Sequence, residues 1–167
     1  RPSSFCMFLR KHLVNKTIVK IDQHDFDRIV KIEVQGYRLI IELFSKGNII
    51  LTDEKFKIIG VLRREKWRER EIRPGVTYKY PPPIVNPFSL NFQEFDSVLK
   101  KEEREIVKVL ATTFGLGGVY AEDICKTLKI LKTKSSSALT NNEKKKLFKF
   151  FENLKKKKPE GFIVMEE

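Results

Sequence analysis

Hydrophobic positions recur with two different periods along this chain, and the change of period separates a helix from a series of strands. The chain opens with apolar residues at the three- and four-residue spacing of a helix, behind Ser3 and Ser4, either of which can cap it. The apolar stripe of this helix consists of Phe5, Phe8, Leu9 and Leu13. From Thr17 the period is two, and short apolar runs alternate with turn residues as far as Leu62. This pattern predicts an antiparallel meander of roughly four or five strands with one face covered by the helix.

A proline-rich stretch ends the strand pattern. Prolines at 81–83 and at 87 cannot continue a helix or a central strand, so this stretch is predicted to be an extended connector. Helical spacing returns after it and is broken by glycines within 115–118. The next predicted helix has the apolar positions Val119, Ile124, Leu128 and Leu131. Thr140 and Glu143 then have the spacing of a capping box that opens a last helix.

These patterns predict an α+β fold, in which an antiparallel β-sheet meander with a covering helix is followed by a helical subdomain. We expect a β-rich core over 1–80, a proline-rich linker over 81–90, and a helical subdomain over 91–167 that ends in a short strand at 161–165.

The charge balance favours a polyanionic partner. The chain has 34 Lys and Arg against 22 Asp and Glu, a formal net charge of +12 and a sequence pI near 9.7. Counterion release and electrostatic steering then make nucleic acid the first candidate. Cys6 and Cys125 are expected to be free thiols and are too few for a cysteine-based zinc site, and His12 has no companions for a metal or catalytic set. We therefore predict no cofactor, no metal and no catalytic residue.

The densest arginine cluster surrounds the single tryptophan. Its cationic residues are Arg63, Arg64, Arg68, Arg70 and Arg73, and Trp67 lies among them. Arginines can clamp phosphates bidentately, and an exposed aromatic ring offers a surface on which bases stack. Three glutamates are interleaved with these arginines, so a self-neutralising solvated loop with Trp67 packed on the sheet is an equally good interpretation.

Two further pairs of charged residues are candidates for binding a nucleic acid. Arg10 and Lys11 form a basic flank outside the apolar stripe of the first helix. Asp27 and Arg28 stand where the second strand begins, so their side chains point to opposite faces and can each serve a different partner. On the residues alone, such a pair is usually solvated or hydrogen-bonded locally.

Several stretches resemble the NFACT-N domain of the RqcH/NEMF family of ribosome quality-control factors, long labelled fibronectin-binding proteins. They are Pro2–Leu13, Ile21–Gln23, Phe26–Val30, Gly47–Asp53 and Pro74–Tyr78. The resemblance implies that Asp27 and Arg28 match an Asp-Arg motif tied to handling tRNA at the large ribosomal subunit. It also implies a leading segment of helix and strands before the residue that matches Pro2. We therefore expect part of the first subdomain to be missing or supplied by a separate piece, which would leave an exposed sheet edge through which copies could associate. The Lys- and Ile-rich composition is compatible with an archaeal source.

A second resemblance covers Gly115 to Ile124, which is similar to the helix-two-turn-helix segment of formamidopyrimidine-DNA glycosylases. It implies nucleic-acid contact at Gly117 and Gly118, although Gly118 stands where those enzymes usually carry asparagine. On composition alone, a simple packing turn has the same pattern. The NFACT-N domain is itself related to the glycosylase architecture.

The resemblance implies a cytoplasmic, ribosome-associated binding domain and not an enzyme. Its expected partners are tRNA and the large ribosomal subunit obstructed by peptidyl-tRNA, to which the protein recruits tRNA so that residues, chiefly alanine, extend the stalled chain. One alternative is a DNA glycosylase, which needs a nucleophilic proline-glutamate pair and a zinc finger, whereas Pro2 is followed by Ser3 and only two cysteines are present. The other is a fibronectin-binding adhesin, for which no secretion signal or wall-anchor pattern is visible. No apolar run is long enough to span a membrane.

Overall fold

The computed structural model describes residues 1–67, 69–158 and 160–161. The chain divides into two compact units, Arg1–Pro83 and Ile84–Glu167. This division falls inside the predicted linker, and the extent of the linker itself stays a prediction. None of the helices in the described part of the chain is both long and apolar enough to cross a membrane.

The first unit is an antiparallel meander with a helix at its start, which confirms the α+β prediction. Helix α1 spans Ser4–Leu13 and is followed by strands β1 (Ile18–Gln23), β2 (Ile29–Val34), β3 (Tyr37–Glu42), β4 (Asn48–Asp53) and β5 (Ile58–Val61). These strands form one sheet in sequence order. Two further short strands, β6 (Glu65–Lys66) and β7 (Glu71–Ile72), pair with each other.

Helix α1 covers one face of this sheet, as predicted. The Ser3 hydroxyl caps it by accepting a hydrogen bond from the Cys6 N–H over 3.2 Å. The Phe8 ring lies against Gly60 so closely that a Cβ atom at position 60 would be 2.2 Å from the ring. Gly60 is paired with Leu51, which is fully buried, so α1 packs on the face that carries these two residues.

The opposite face of the sheet holds the main core of the first unit. Its buried members are Ile29, Ile40, Ile50, Ile58, Ile72 and Tyr78. Ile40 and Ile50 are directly paired across β3 and β4, and neighbouring residues on a strand face opposite ways, so this core lies on the side away from Gly60. The segment that contains β7 and Tyr78 closes it. Our sequence analysis gave this segment no role in the core, because it has neither a helical nor a strand period.

The second unit is helical. It contains α2 (Phe92–Lys101), the short α3 (Ile106–Lys108) that continues as a π-helical turn (Val109–Thr113), α4 (Gly118–Thr127) and α5 (Asn141–Lys156). The predicted capping box is confirmed, since the Thr140 hydroxyl accepts from the Glu143 N–H and the Glu143 carboxylate accepts from the Thr140 N–H. Phe95, Phe114 and Phe151 are fully buried among these helices.

The apolar stripe predicted for the third helix is partly wrong. Helix α4 ends at Thr127, and its buried residues are Ala121, Ile124 and Cys125. Val119 is 84% exposed and Leu131 is 68% exposed. The helix is shorter than the apolar spacing suggested because Lys129 adopts a left-handed conformation with φ 56° and ends the turn. The predicted strand at 161–165 lies outside the described residues from 162 onward.

Candidate nucleic-acid interface

The Asp27–Arg28 pair lies in the tight turn between β1 and β2. The His24 N–H donates to the Ile29 carbonyl over 2.9 Å, and the Asp27 N–H donates to the His24 carbonyl over 3.0 Å. The Asp27 carboxylate accepts a hydrogen bond from the Arg28 N–H over 2.7 Å. Asp27 therefore shapes the turn, and the exposed Arg28 side chain projects from a backbone that is held in place.

The imidazole of His24 connects this turn to Tyr80, which packs against the main core of the first unit. Its ring stacks on Tyr80 with 3.5 Å between the ring centroids and 14° between the planes. Burial raises the pKa of the Tyr80 hydroxyl above its ordinary value, so the ring is uncharged at neutral pH. The stack fixes the turn from the side on which the main core lies.

Two neighbouring segments meet the turn at the same end of the sheet. The Leu43 N–H donates to the Arg28 carbonyl over 2.8 Å, which joins the loop after β3 to the turn. The Arg63 guanidinium donates to the carbonyls of Lys46 and Gly47, the latter over 3.0 Å. The side chains of Arg28, Lys46, Arg63 and Arg64 thus occur on adjacent segments at this end, and all four residues are exposed. We call these four exposed cationic residues the cationic rim.

Arg70 has a different position from the other arginines of the cluster. Its side chain is 9% exposed and donates to the carboxylate of Glu42, which is 1% exposed. The Arg70 guanidinium also donates to the Lys79 carbonyl over 2.6 Å, and the Tyr78 hydroxyl donates to Glu42 over 2.8 Å. Burial, followed by the charge of Glu42, raises the pKa of Tyr78 well above its usual range. Arg70 therefore connects the β6–β7 hairpin to the sheet and is not free to bind a phosphate.

An apolar cavity opens beside this buried ion pair. Its volume is about 390 Å³, and Phe44, Trp67, Arg70, Pro81 and Pro82 line it together with Ser45 and Glu69. Trp67 is 44% exposed, and the Arg70 guanidinium lies 5.4 Å from the centroid of its ring. A cavity walled by an indole, a phenyl ring and two prolines fits a flat aromatic group. Because Phe44 follows Leu43, the cavity lies next to the loop that is bonded to Arg28.

Arg10 and Lys11 do not join this end of the sheet. Arg10 and Lys11 are exposed on α1, and their neighbour His12 contacts Tyr37 at the opposite end of β3, with 5.6 Å between the rings. A six-residue strand separates the two ends by roughly 17–20 Å. Arg73 is exposed and pairs with Glu71 over 2.9 Å. Arg68 lies outside the described residues.

The interleaved glutamates neutralise only part of the arginine cluster. Glu71 pairs with Arg73, and Glu65 accepts a hydrogen bond from the Asn48 amide over 3.3 Å. Glu69 lines the cavity. Arg63 and Arg64 lie before this hairpin and make no ion pair among the described residues. The interpretation as a self-neutralising loop therefore fits Arg70 and Arg73, which pair with carboxylates, but not Arg63 and Arg64.

Gly117 and Gly118 belong to the second unit, where they start α4. Gly117 has φ 81°, a left-handed conformation that favours glycine, and a Cβ atom at Gly118 would meet open space. Val119 and Tyr120 on the first turn are 84% and 70% exposed. The predicted break and helix start are confirmed, and contact with nucleic acid at this turn stays a prediction. Within the described ranges, no cluster of three or more His, Cys, Asp or Glu side chains is arranged to hold a metal.

Comparison with known families decides the assignment. A family model described as the NFACT N-terminal and middle domains matches residues 1–166. The chain belongs to the NFACT family. The resemblance found in the sequence is thereby confirmed, and the Asp27–Arg28 turn described above is part of this NFACT domain.

Curated relatives of this NFACT chain are much longer proteins. An archaeal Rqc2 homologue, aRqcH of Methanocaldococcus jannaschii, is 41% identical over 163 residues, which cover 92% of this chain and 24% of that protein. Human ribosome quality control complex subunit NEMF is 39% identical over 84 residues, covering 48% of this chain and 8% of that protein. The chain thus spans about a quarter of the length of the archaeal relative.

Solved structures share the NFACT fold. The fibrinogen-binding protein of Staphylococcus aureus has a TM-score of 0.68 at 25% identity, with 93% of this chain and 60% of that chain covered. The MutM (Fpg) protein of Thermus thermophilus has a TM-score of 0.55 at 17% identity over 83% of this chain and 59% of that chain. The second likeness shows the fold alone, and it agrees with the architectural relationship inferred from the sequence.

Three residues that position the side chains of the site were not predicted from the sequence. Glu42, Tyr78 and Tyr80 position Arg70 and His24. One signal was available, because Glu42 shares the face of Ile40 in an alternating strand and a carboxylate on a core face requires a partner. No sequence pattern singles out Arg70 among five arginines as that partner.

Proposed function

We propose that this chain is the RNA-binding domain of a ribosome quality-control factor. In this proposal the intact protein binds a large ribosomal subunit that is obstructed by peptidyl-tRNA and recruits tRNA for C-terminal tailing, chiefly with alanine. The observation that carries the proposal is the position of the Asp27–Arg28 turn. Hydrogen bonds hold this turn in shape, and it lies at the same end of the sheet as the cationic rim and the Trp67 cavity. The family supports it, since a human member is named as a subunit of the ribosome quality control complex.

Each part of the site has a distinct proposed role. The exposed guanidiniums of Arg28, Arg63 and Arg64, with the Lys46 ammonium, contact RNA phosphates. The Trp67 ring offers a face on which an unstacked base can lie, with the Arg70 guanidinium behind it. Asp27 holds the turn in shape. The domain contributes binding and positioning, and peptide-bond formation is left to the ribosome, so no catalytic residue is assigned.

The same proposal places the protein in the cytoplasm, in association with ribosomes. The net charge of +12 supports attraction to the polyanionic surface of a ribosomal subunit. The likeness to MutM stands at 17% identity and adds no support for excision of damaged bases. The printed name of the staphylococcal structure refers to fibrinogen, and no feature of the described surface favours that ligand over RNA.

The experiment that tests the proposal measures tRNA binding by the 167-residue chain over a range of salt concentrations. Arg28→Ala removes one exposed cation from the site, and Lys55→Ala is the matched control, because Lys55 lies in the turn after β4 at the other end of the sheet. We expect Arg28→Ala to weaken binding and to reduce the slope of log K against log salt by about one. Equal affinities and slopes for the two variants would remove Arg28 from the interface.

A further inference from the structure

The outer side of helix α5 is a continuous cationic surface in the second unit. Because an α-helix has about 3.6 residues per turn, six residues of α5 lie in a row along this side, and all six are exposed. We call this row the lysine face. It spans roughly 21 Å at a rise of about 1.5 Å per residue. Its members are Asn142, Lys145, Lys146, Lys149, Asn153 and Lys156.

The charges of the lysine face are not neutralised by neighbouring carboxylates. Its four lysines form no ion pair in the described part of the chain, and Glu152, which lies beside the face, is joined to none of them. Other lysines of the same unit differ in this respect. Five of them form ion pairs, namely Lys100 and Lys144 with Asp96, Lys108 with Glu105, Lys132 with Glu122, and Lys134 with Glu143.

The composition of the lysine face decides which kind of partner fits it. The side of α5 that carries Leu147 and Phe151 is buried in the core of the second unit, so the helix cannot insert these side chains into a lipid surface. Interfaces between proteins are depleted in lysine at their centre and use apolar and aromatic anchors, which the face does not carry. A row of ammonium and amide groups on a helix suits the repeated phosphates of a nucleic acid.

We propose that the lysine face binds the phosphate backbone of an RNA duplex. The choice of RNA rests on the proposed function, whereas the recognition of duplex phosphates rests on the face itself. A nucleic-acid duplex carries about one negative charge per 1.7 Å of its axis, so phosphates are available along the whole length of the face. Asn142 and Asn153, near the two ends of the row, can donate amide hydrogens to phosphate or 2′-hydroxyl oxygens. The contact does not depend on base sequence, because ammonium groups bind phosphates and not base edges.

The lysine face is a different surface from the site at the end of the sheet. It belongs to the second unit, whereas Arg28 and the rest of the cationic rim belong to the first. Lys145 and Lys149 are exposed and take no part in the core of the second unit. Their charges can therefore be removed without disturbing either the rim or the fold.

The test measures how the 167-residue chain binds an RNA duplex of about 16 base pairs over a range of salt concentrations, by fluorescence anisotropy of the labelled duplex. Lys145→Ala/Lys149→Ala removes two charges that lie one helical turn apart. We expect this variant to bind more weakly and to reduce the slope of log K against log salt by about two. Lys145→Arg/Lys149→Arg keeps both charges and should bind as the wild type does. Alanine favours a helix, so circular dichroism should show unchanged helix content.

A matched control separates the lysine face from net charge. Lys108→Ala/Lys132→Ala removes the same total charge from the second unit, at lysines that lie 2.9 Å and 3.0 Å from the carboxylates of Glu105 and Glu122. This control should change the slope much less than Lys145→Ala/Lys149→Ala does. Equal reductions for the two double variants, or an unchanged slope for Lys145→Ala/Lys149→Ala, would overturn the proposal.

A DNA duplex of the same length separates this inference from the proposed function. Weaker binding of the RNA duplex by Lys145→Ala/Lys149→Ala, with or without weaker binding of the DNA duplex, supports the lysine face. That result would stand even if Arg28→Ala left tRNA binding unchanged, which counts against the proposed function alone. A loss confined to the DNA duplex would overturn the assignment of the face to RNA.

Discussion

The buried Glu42–Arg70 pair determines how the site is held together at the level of single residues. Both side chains are at least nine-tenths buried, and Tyr78 shares the carboxylate. An ion pair in such a position is costly to break, because removal of one charge leaves the other without compensation in a medium of low dielectric constant. The stability of the Trp67 cavity is therefore expected to depend on this buried ion pair.

Glu42→Gln tests this dependence. The substitution keeps the shape of the side chain but leaves the Arg70 charge buried and uncompensated, so we expect the free energy of unfolding to fall by about 3 kcal/mol. Urea denaturation measures it. The double variant Glu42→Leu/Arg70→Met removes both charges and should recover a large part of that loss. A fall below about 1 kcal/mol for Glu42→Gln would show that the pair is solvated.

The acidic partner of a buried lysine gives a prediction for pH. Asp96 on α2 accepts hydrogen bonds from Lys100 and from Lys144, which is 6% exposed on α5, and these two interactions, in that order, lower the pKa of Asp96. Because the folded-state pKa lies below the unfolded-state value of about 3.9, the stabilisation is present above that value and is lost as the pH falls through the folded-state pKa.

Asp96→Asn should therefore lower the thermal midpoint at pH 7, and this deficit should be smaller at a pH below about 3.9. Thermal midpoints at the two pH values measure the difference. Asp123→Asn, at an exposed position of α4, is the matched control and should change neither midpoint. A deficit of the Asp96 variant that is the same at both pH values would argue against the charged form as its origin.

At the level of elements, the sheet and its covering helix could be read from the sequence, but the choice of core face could not. Strand β2 has apolar residues on both faces, and its alternation puts Val30, Ile32 and Val34 on one of them. The fully buried Ile29 lies on the other face, toward Ile72 and Tyr78. A period of two assigns residues to a face, and only tertiary packing decides which face is covered.

The close approach of α1 to the sheet gives a prediction at the same scale. Gly60→Ala introduces a Cβ atom 2.2 Å from the Phe8 ring, so the ring must move and α1 loosens. We expect a loss of about 1–2 kcal/mol in unfolding free energy, measured by urea denaturation. In the Phe8→Ala background the same Gly60→Ala change should cost much less. Equal costs in the two backgrounds would place the strain elsewhere.

The residues of the candidate site could be named from the sequence, but their grouping in space could not. The family resemblance named Asp27 and Arg28, and the structure brings Arg63 and Arg64 to the same end of the sheet. It places Arg10 and Lys11 at the opposite end. That separation depends on the direction in which α1 crosses the strands. Residue spacing within a helix does not contain this information.

At the level of the whole molecule, each of the two units has its own buried core. The first is built on the sheet around Ile40 and Ile50, and the second on helices around Phe95 and Phe151. We therefore expect residues 1–83 and 84–167, expressed separately, to fold on their own, with far-ultraviolet circular dichroism showing β and α content respectively. An unfolded spectrum for either piece would show that its core is insufficient alone.

The most direct test of the central claim uses the single tryptophan as a reporter. Trp67 is partly exposed and lines the cavity beside the Asp27–Arg28 turn, so a base that stacks there must change its emission. Titration of the chain with tRNA should quench Trp67 fluorescence with the same midpoint as binding measured by filter retention, and Arg28→Ala should shift both midpoints together. Full tRNA binding with unchanged Trp67 emission would contradict the proposal that this end of the sheet is the RNA site.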